Sequence, residues 1–276
     1  MRSYYADVEA YEAWCIQTGH VAFPAHPATV SAFIEEQGKS LAPSTVQRRL
    51  YGIRKAHRLL GLDDPTRHED VNLAMRRVRR TKTSRPRQAK GMTRSYLEKF
   101  LSVQPDTPWG KRNRAMLSLG YDVLARRSEL VALRTDDLIW QSDGTLSVLV
   151  RRSKTDQFGK GRVAFTSLRS AKLVDAWLAW RPQEIGPLFC PIYQNVAIDR
   201  GLSDTTVKDI IKHSARAAGL EPSIAAAFSG HSMRVGAAQD LLEAGHSTSA
   251  IMRAGGWKSV EVLSRYLEIS SHNVWT

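Results

Sequence analysis

The chain has little cysteine, a shortage of acid relative to base, and no long apolar run. Two cysteines, Cys15 and Cys190, among 276 residues are too few for a disulfide framework or a zinc finger. Both read as reduced thiols. No apolar stretch approaches the roughly 20 residues that span a bilayer, and no N-terminal signal pattern is visible, so the chain is expected to work away from membranes. No carboxylate cluster and no Cys/His spacing suggests a metal site, and neither metal nor cofactor is expected. No internal repeat is apparent. Against these absences stands an excess of base: 40 Lys and Arg face 27 Asp and Glu, a formal net charge of +13. Such a surplus suits a polyanionic partner. The length allows two modest domains.

Residues 1 to about 80 read as helical. Tyr4, Val8, Tyr11 and Cys15 recur at helical spacing and predict a core face. Ala28–Gln37 reads as a second helix. Pro43-Ser44-Thr45 starts a third, with Val46, Leu50, Ile53 and Leu59-Leu60 as its apolar stripe and Gln47, Arg48, Arg49 and Lys55 largely off it. Glu69–Arg80 follows as a fourth. A run of cations from Arg76 through Arg80 to Lys90 then reads as a helix end passing into a basic interdomain linker at 81–92. Lying along phosphates, such a linker would position rather than specify.

A second domain, 93–276, mixes helices with a small sheet. Thr93 can cap a helix, and another follows Trp109. The segment YDVLARRSELVALRTDDL comes next, with Arg126, Arg127 and Glu129 close together. Leu138–Trp140 and Leu146–Val150 read as strands around a Ser142-Asp143-Gly144 turn. Arg162–Thr166 returns after a hairpin loop that contains Lys154 and Lys160. Ala171–Trp180 is helical. A helix starting at Ser203 or Asp204 places Val207, Ile210 and Ile211 on one face and Lys208, Lys212 and Arg216 on another.

The stretch from His231 to Glu268 carries the chemistry. His231 and Arg234 are three apart at a helix start, where unpaired N–H groups and the dipole favour an anion. An ordinary helix start with a capping histidine fits the same residues. Gly245 is a natural stop, and Ser247 or Ser249 can cap the next helix. Gly255-Gly256 breaks that helix, Trp257 follows, and a last amphipathic helix carries Val262, Leu263, Tyr266 and Leu267.

His231-x-x-Arg234, Gly255-Gly256-Trp257 and a tyrosine nine residues later resemble the C-terminal half of the tyrosine recombinase (phage integrase) active site. Ala125-Arg126-Arg127-Ser128-Glu129-Leu130 resembles the family's L-R-x-S-E-L box, whose spacing selects Arg126 as the catalytic arginine. Arg126 and Glu129 would then share a helix face, with Glu129 supporting the site. Most members carry histidine where Trp257 stands; some carry tryptophan.

The resemblance implies a mainly α protein: a helical core-binding domain at 1–80, then an α+β catalytic domain with a small antiparallel sheet. It implies a catalytic set of Arg126, Lys154, His231, Arg234, Trp257 and Tyr266. The Ser153-Lys154-Thr155-Asp156 context favours Lys154 over its loop rival Lys160. By position in similar domains, Arg2, Ser3, Ser44, Gln47, Arg48, Arg80, Thr205 and Lys208 are candidates for DNA contact. The expected function is site-specific recombination through a 3′-phosphotyrosine, without ATP, metal or cofactor. The expected partners are double-stranded DNA with paired inverted binding sites and further subunits in a DNA-bound synaptic tetramer. The expected place is the cytoplasm, at a bacterial nucleoid or in the host of a phage or mobile element. A topoisomerase or hairpin telomere resolvase would use the same chemistry, and a DNA-binding regulator with a vestigial site is the non-enzymatic alternative. Family members normally have a helix before the segment matching Tyr4–Cys15 and commonly extend farther beyond the tyrosine. The resemblance therefore implies weak assembly for this chain, a monomer without DNA.

Overall fold

The computed structural model describes residues 2–81, 88–151 and 161–267, with side chains from Tyr4 onward. The chain divides into two compact units, Met1–Pro86 and Arg87–Thr276.

The described part of the first unit is built on α1 (Arg2–Thr18), α2 (Pro27–Ser40), α3 (Pro43–Leu59) and α4 (Glu69–Thr81). Their starts are written locally. Pro27 and Pro43 occupy first-turn positions, where a missing N–H breaks no helical bond. Glu69 and Asp70 place acid in the first turn of α4, complementing the dipole. Val71, Ala74, Met75 and Val78 form the buried stripe of α4 at i, i+3, i+4 and i+7. They join Val30, Phe33 and Ile34 of α2 in one core.

Two expectations for this unit are corrected. Tyr11 and Cys15 are buried, but Tyr4 is 38% exposed, in the first turn of α1 at the margin of the packed face. Leu59 and Leu60 are also exposed. The stripe of α3 runs Val46, Leu50, Ile53 and then His57, and Leu59, two residues on, points away from it. His57 suits the buried place because both ring nitrogens have partners there: Nδ1 lies 2.9 Å from the Ile53 carbonyl and Nε2 accepts from the Ala25 N–H at 3.0 Å.

The second unit contains α5 (Arg94–Ser102), α6 (Pro108–Asp122), α7 (Arg127–Ala132), α8 (Leu168–Leu178), α9 (Asp204–Ala217), α10 (Pro222–Ala227), α11 (Ser232–Glu243), α12 (Thr248–Gly255) and α13 (Val260–Leu267). Strands β1 (Leu138–Trp140), β2 (Leu146–Val150) and β3 (Arg162–Phe165) form an antiparallel sheet in that order, with Leu138 opposite Val148 and Val148 opposite Ala164. Strands β4 (Ile192–Tyr193) and β5 (Val196–Ala197) make a small antiparallel ribbon. Helix α6 is buried continuously from Ala115 to Gly120, a stretch without a charged residue on any side. It packs against α8 and α11. The architecture is mainly helical with small antiparallel sheets, as the sequence predicts. The ribbon and α10 are additions; two-residue strands are too short to show a period.

Helix α11 is fixed against the chain entering the unit. The Met92 N–H donates to the Ser232 carbonyl at 2.7 Å. A Cβ at Gly236 would stand 2.1 Å from the Met92 carbonyl carbon, so only glycine permits this approach. That contact sets the helix whose first turn carries His231 and Arg234.

Candidate active site

The site is assembled around the turn that leaves α6. After Asp122 the chain runs through Val123, Leu124 and Ala125 to Arg126, the residue preceding α7. Leu124 adopts a φ of +46°, a left-handed conformation uncommon for a bulky residue and of the kind that gathers at functional sites. Two successive carbonyls of this turn each hold a guanidinium. Val123 accepts from Arg162 Nη2 at 2.7 Å, and Leu124 from Arg234 Nη1 at 2.5 Å.

Arg126 and Glu129 meet in a different way from the one expected. Arg126 stands before α7 rather than on its face. Its backbone N–H donates to Glu129 Oε2 at 3.0 Å and its Nη1 to Oε1 at 2.5 Å. The carboxylate thus satisfies an unpaired helix-start N–H while orienting the guanidinium. Glu129 is buried, and its Oε2 lies 3.5 Å from Arg162 Nη2.

Arg234, in the first turn of α11, is fully buried. Its guanidinium carbon lies 3.7 Å from the centroid of the Trp257 ring, a cation–π stack. Burial first, and then the charge of Arg126, pushes its pKa down to about 10, which leaves it protonated at neutral pH. Among the described residues, Arg234 Nε and Nη2 and Trp257 Nε1 are buried donors without a hydrogen-bond partner. Buried donors are rarely left so. Donors of this kind, on a guanidinium stacked over an indole, can receive an anion with several oxygens.

Trp257 is delivered by a helix stop. Gly256 takes φ +66°, and the N–H groups of Gly256 and Trp257 bond back to Arg253 and Met252 at 3.3 and 2.9 Å, the pattern of a left-handed C-terminal cap. Tyr266 of α13 meets the Trp257 ring edge-on at 5.4 Å and stacks on His231 at 6.0 Å between centroids. Gln239 Nε2 donates to the Tyr266 carbonyl at 3.2 Å, tying α13 to α11. Leu124, Ala237, Ala238, Ile251, Trp257 and Leu263 form a small core of their own beneath this group.

His231 sits at the head of α11, but its side chain makes no capping bond; its backbone N–H donates to Ser229 Oγ at 3.1 Å. The capping role is therefore not what its ring does. Burial lowers its pKa from 6.5, and Arg234, Arg126 and Arg127 lower it further. At neutral pH the ring is neutral, with one nitrogen able to accept a proton and the other to donate.

Arg126, Glu129, His231, Arg234, Trp257 and Tyr266 thus come together from α11, α13 and the segments around α7 and α12. Lys154 and Lys160 lie outside the described residues. Arg162, which the sequence marks only as part of a returning strand, also belongs to this site. In β3 the apolar Val163 and Phe165 are exposed while Arg162 and Ala164 face inward. Hydrophobic alternation along the strand predicts the reverse, so the sequence carries no local signal for an inward Arg162.

The DNA-contact candidates are placed as follows. Ser44, Arg48 and Arg80 are exposed and Gln47 is half-buried. Arg48 bonds Asp7 at 2.8 Å, and Gln47 accepts from Arg79 at 2.7 Å. Thr205 and Lys208 lie in the first turns of α9, with Lys208 Nζ 4.0 Å from the Asp209 carboxylate. The side chains of Arg2 and Ser3 lie outside the described residues. Among the described residues no helix is long and apolar enough to cross a membrane.

Residues 90–272 match the phage integrase family. The chain is 31% identical over 275 residues to the Cre recombinase of Escherichia phage P1, a match covering 94% of this chain and 80% of that protein. It is 28% identical over 279 residues to an integrase/recombinase XerD homologue of Selenomonas ruminantium, covering 97% and 81%. Among solved structures, the XerH site-specific recombinase bound to a palindromic difH substrate matches with a TM-score of 0.66 and 17% identity, over 89% of this chain and 69% of that one. A lambda integrase dimer bound to a core site matches at 0.62 and 17%, over 98% and 88%. These two establish the shared fold. The chain belongs to the phage integrase family, that of the tyrosine recombinases.

Proposed function

We propose that this chain is a site-specific DNA recombinase that cleaves and rejoins duplex DNA through a phosphotyrosine on Tyr266. The observation that carries the reading is the set of buried donors on Arg234 and Trp257 that have no partner among the described residues, with the Trp257 ring edge-on to Tyr266. In the reaction, Tyr266 Oη attacks the scissile phosphorus and the bond to the 5′ oxygen breaks. The products are a 3′-phosphotyrosine and a free 5′-hydroxyl. Arg126, Arg234 and the Trp257 indole N–H receive the nonbridging oxygens, where charge develops. His231 takes the phenol proton or donates to phosphate, and Lys154 gives a proton to the departing 5′ oxygen. The tyrosine ester keeps the bond energy, so rejoining needs no ATP.

The partners follow from the same reading: duplex DNA with paired inverted sites, and further copies of the chain in a DNA-bound tetramer. The related structures support this, since one holds a palindromic substrate and another is a dimer on a core site. The workplace is the DNA-containing cytoplasm of a bacterial or phage-infected cell.

The test begins with a randomised duplex pool from which binding sites are selected. These are remade as nicked duplexes that trap the protein after cleavage. A covalent protein–DNA adduct is expected, and it is expected to form at the same rate in excess EDTA, because guanidinium groups supply the positive charge. Absence of any adduct on tightly bound sites would sink the enzymatic reading and leave a DNA-binding regulator. A rate lost in EDTA and restored by Mg²⁺, with binding intact, would reject the charge assignment.

His231 provides a pH signature. As its pKa lies below 6.5, the neutral ring persists down to mildly acidic pH. If His231 takes the phenol proton, the single-turnover rate falls as pH drops through that lowered value, and His231→Gln loses this acidic limb. An unchanged limb in the variant would assign the step to another base.

A further inference from the structure

Among the described residues, Arg162 is a largely buried guanidinium at the site that none of the expected roles uses. It enters from β3 and makes three connections. Nη2 donates to the Val123 carbonyl at 2.7 Å, and Nη1 to the Ala254 carbonyl at 2.7 Å. Nη2 also lies 3.5 Å from Glu129 Oε2. Each partner lies close in sequence to a residue of the proposed catalytic set or to a group that holds one. Val123 precedes Leu124, whose carbonyl grips Arg234. Ala254 lies three residues before Trp257, in the last turn of α12. Glu129 orients Arg126. The stem of Arg162 lies under the Gly256 turn, where an added Cβ would come within 2.9 Å of its Cδ.

The geometry points to Arg162 as a positioning residue: one planar fork from the sheet holds the supports of Arg126, Arg234 and Trp257 in a single arrangement. A guanidinium suits this work because its donors diverge in a fixed plane; a lysine ammonium offers one point of charge and cannot span the same carbonyls. Charge contributes as well. Glu129 is one buried carboxylate facing Arg126 and Arg162. With Arg162 present, its negative charge is shared, and more of the positive charge of Arg126 remains for a phosphate. With Arg162 absent, Glu129 neutralises Arg126 alone. Removal of Arg162 therefore acts on the reaction through its neighbours, without loss of any group that touches DNA.

The inference rests on the reading of Tyr266 as the nucleophile. The test uses the full chain, the selected nicked duplexes, and versions carrying sulfur in place of either nonbridging oxygen of the scissile phosphate. Arg162→Met keeps much of the volume and removes charge and donors; Arg162→Lys keeps the charge alone. Arg162→Met is expected to cleave about 10–100-fold more slowly at saturating DNA, the cost typical of losing a group that orients directly acting ligands. DNA affinity is expected to stay within about threefold, a loss of turnover without loss of binding. Arg162→Lys is expected to fall between Arg162→Met and wild type. Fixed guanidiniums discriminate the two sulfur diastereomers, so their rate ratio should move toward one in the variants. Variants that cleave within about threefold of wild type overturn the role, as does slow cleavage fully matched by weaker binding. A diastereomer ratio that is already one in wild type, or unchanged in the variants, also overturns it. If Arg162→Met fails to fold by circular dichroism, Arg162→Lys decides on the same criteria. A wild-type chain that forms no adduct rejects the Tyr266 reading itself, whereas a cleaving wild type with equally active variants rejects only the role of Arg162.

Discussion

Tyr266→Phe is expected to bind its DNA as wild type does and to form no covalent adduct at all. The substitution removes one oxygen and leaves the ring that packs edge-on against Trp257 and stacks on His231. The link from Gln239 to the Tyr266 carbonyl is made to the backbone and survives. What disappears is the nucleophile, and no fraction of the reaction remains without it. As the phenol attacks, its proton must be taken up, the task proposed for His231. Tyr121 shows the contrast within the same small core. Its hydroxyl is bound to the Asp240 carboxylate, and burial together with that carboxylate pushes its pKa up. A phenol so held is a hydrogen-bond donor, not a nucleophile. The measurement is adduct formation on nicked duplexes beside a binding isotherm on intact ones. An undiminished adduct from Tyr266→Phe would transfer the nucleophile to another hydroxyl.

Much of this site was legible in the chain because its signals are local. Gly256 marks a helix stop whose left-handed cap is realised at φ +66°, and Ser247 and Ser203 cap the helices they precede. Spacing placed His231 and Arg234 at the head of α11. Where reading by spacing failed, tertiary context was the reason. Leu59 and Leu60 continue an apolar composition past the point where α3 has a partner. His57 completes the stripe instead, because two backbone groups satisfy its ring. Arg126 has helical spacing to Glu129, but the chain is still leaving the Leu124 turn at that point, so the pair forms a cap rather than a ladder. Arg162 was hidden for a further reason: its three partners come from distant parts of the sequence, and no local pattern records them. The unpartnered donors on Arg234 and Trp257 are likewise a property of packing alone.

The separation of roles between Arg234 and Lys154 gives the last expected result. Arg234→Met keeps an apolar stem near Trp257 but loses the guanidinium whose two unpartnered nitrogens are assigned to nonbridging oxygens. Loss of one such electrostatic donor typically costs roughly 10²–10³ in rate, and Arg234 offers two, so a defect at or beyond the upper end is expected. Lys154→Ala should also be slow on ordinary DNA, for a different reason. Its proposed task is to protonate a departing alkoxide, and an oxygen leaving group needs that proton; bulk water, as a guide, has a pKa of about 15.7. A thiol, with a pKa of about 8.5, leaves without it. Replacing the bridging 5′ oxygen by sulfur should therefore restore Lys154→Ala toward the wild-type rate and leave Arg234→Met as defective as before, since charge on the nonbridging oxygens is unchanged. Lys160→Ala is the control from the same stretch between β2 and β3. Single-turnover cleavage of both substrates by each variant makes the comparison. Equal defects of Lys154→Ala on oxygen and sulfur would remove it as general acid, and selective rescue of Lys160→Ala would move that role to Lys160. Rescue of Arg234→Met by sulfur would show that the buried guanidinium acts on the leaving group, against the position its stack on Trp257 and its bond to Leu124 imply.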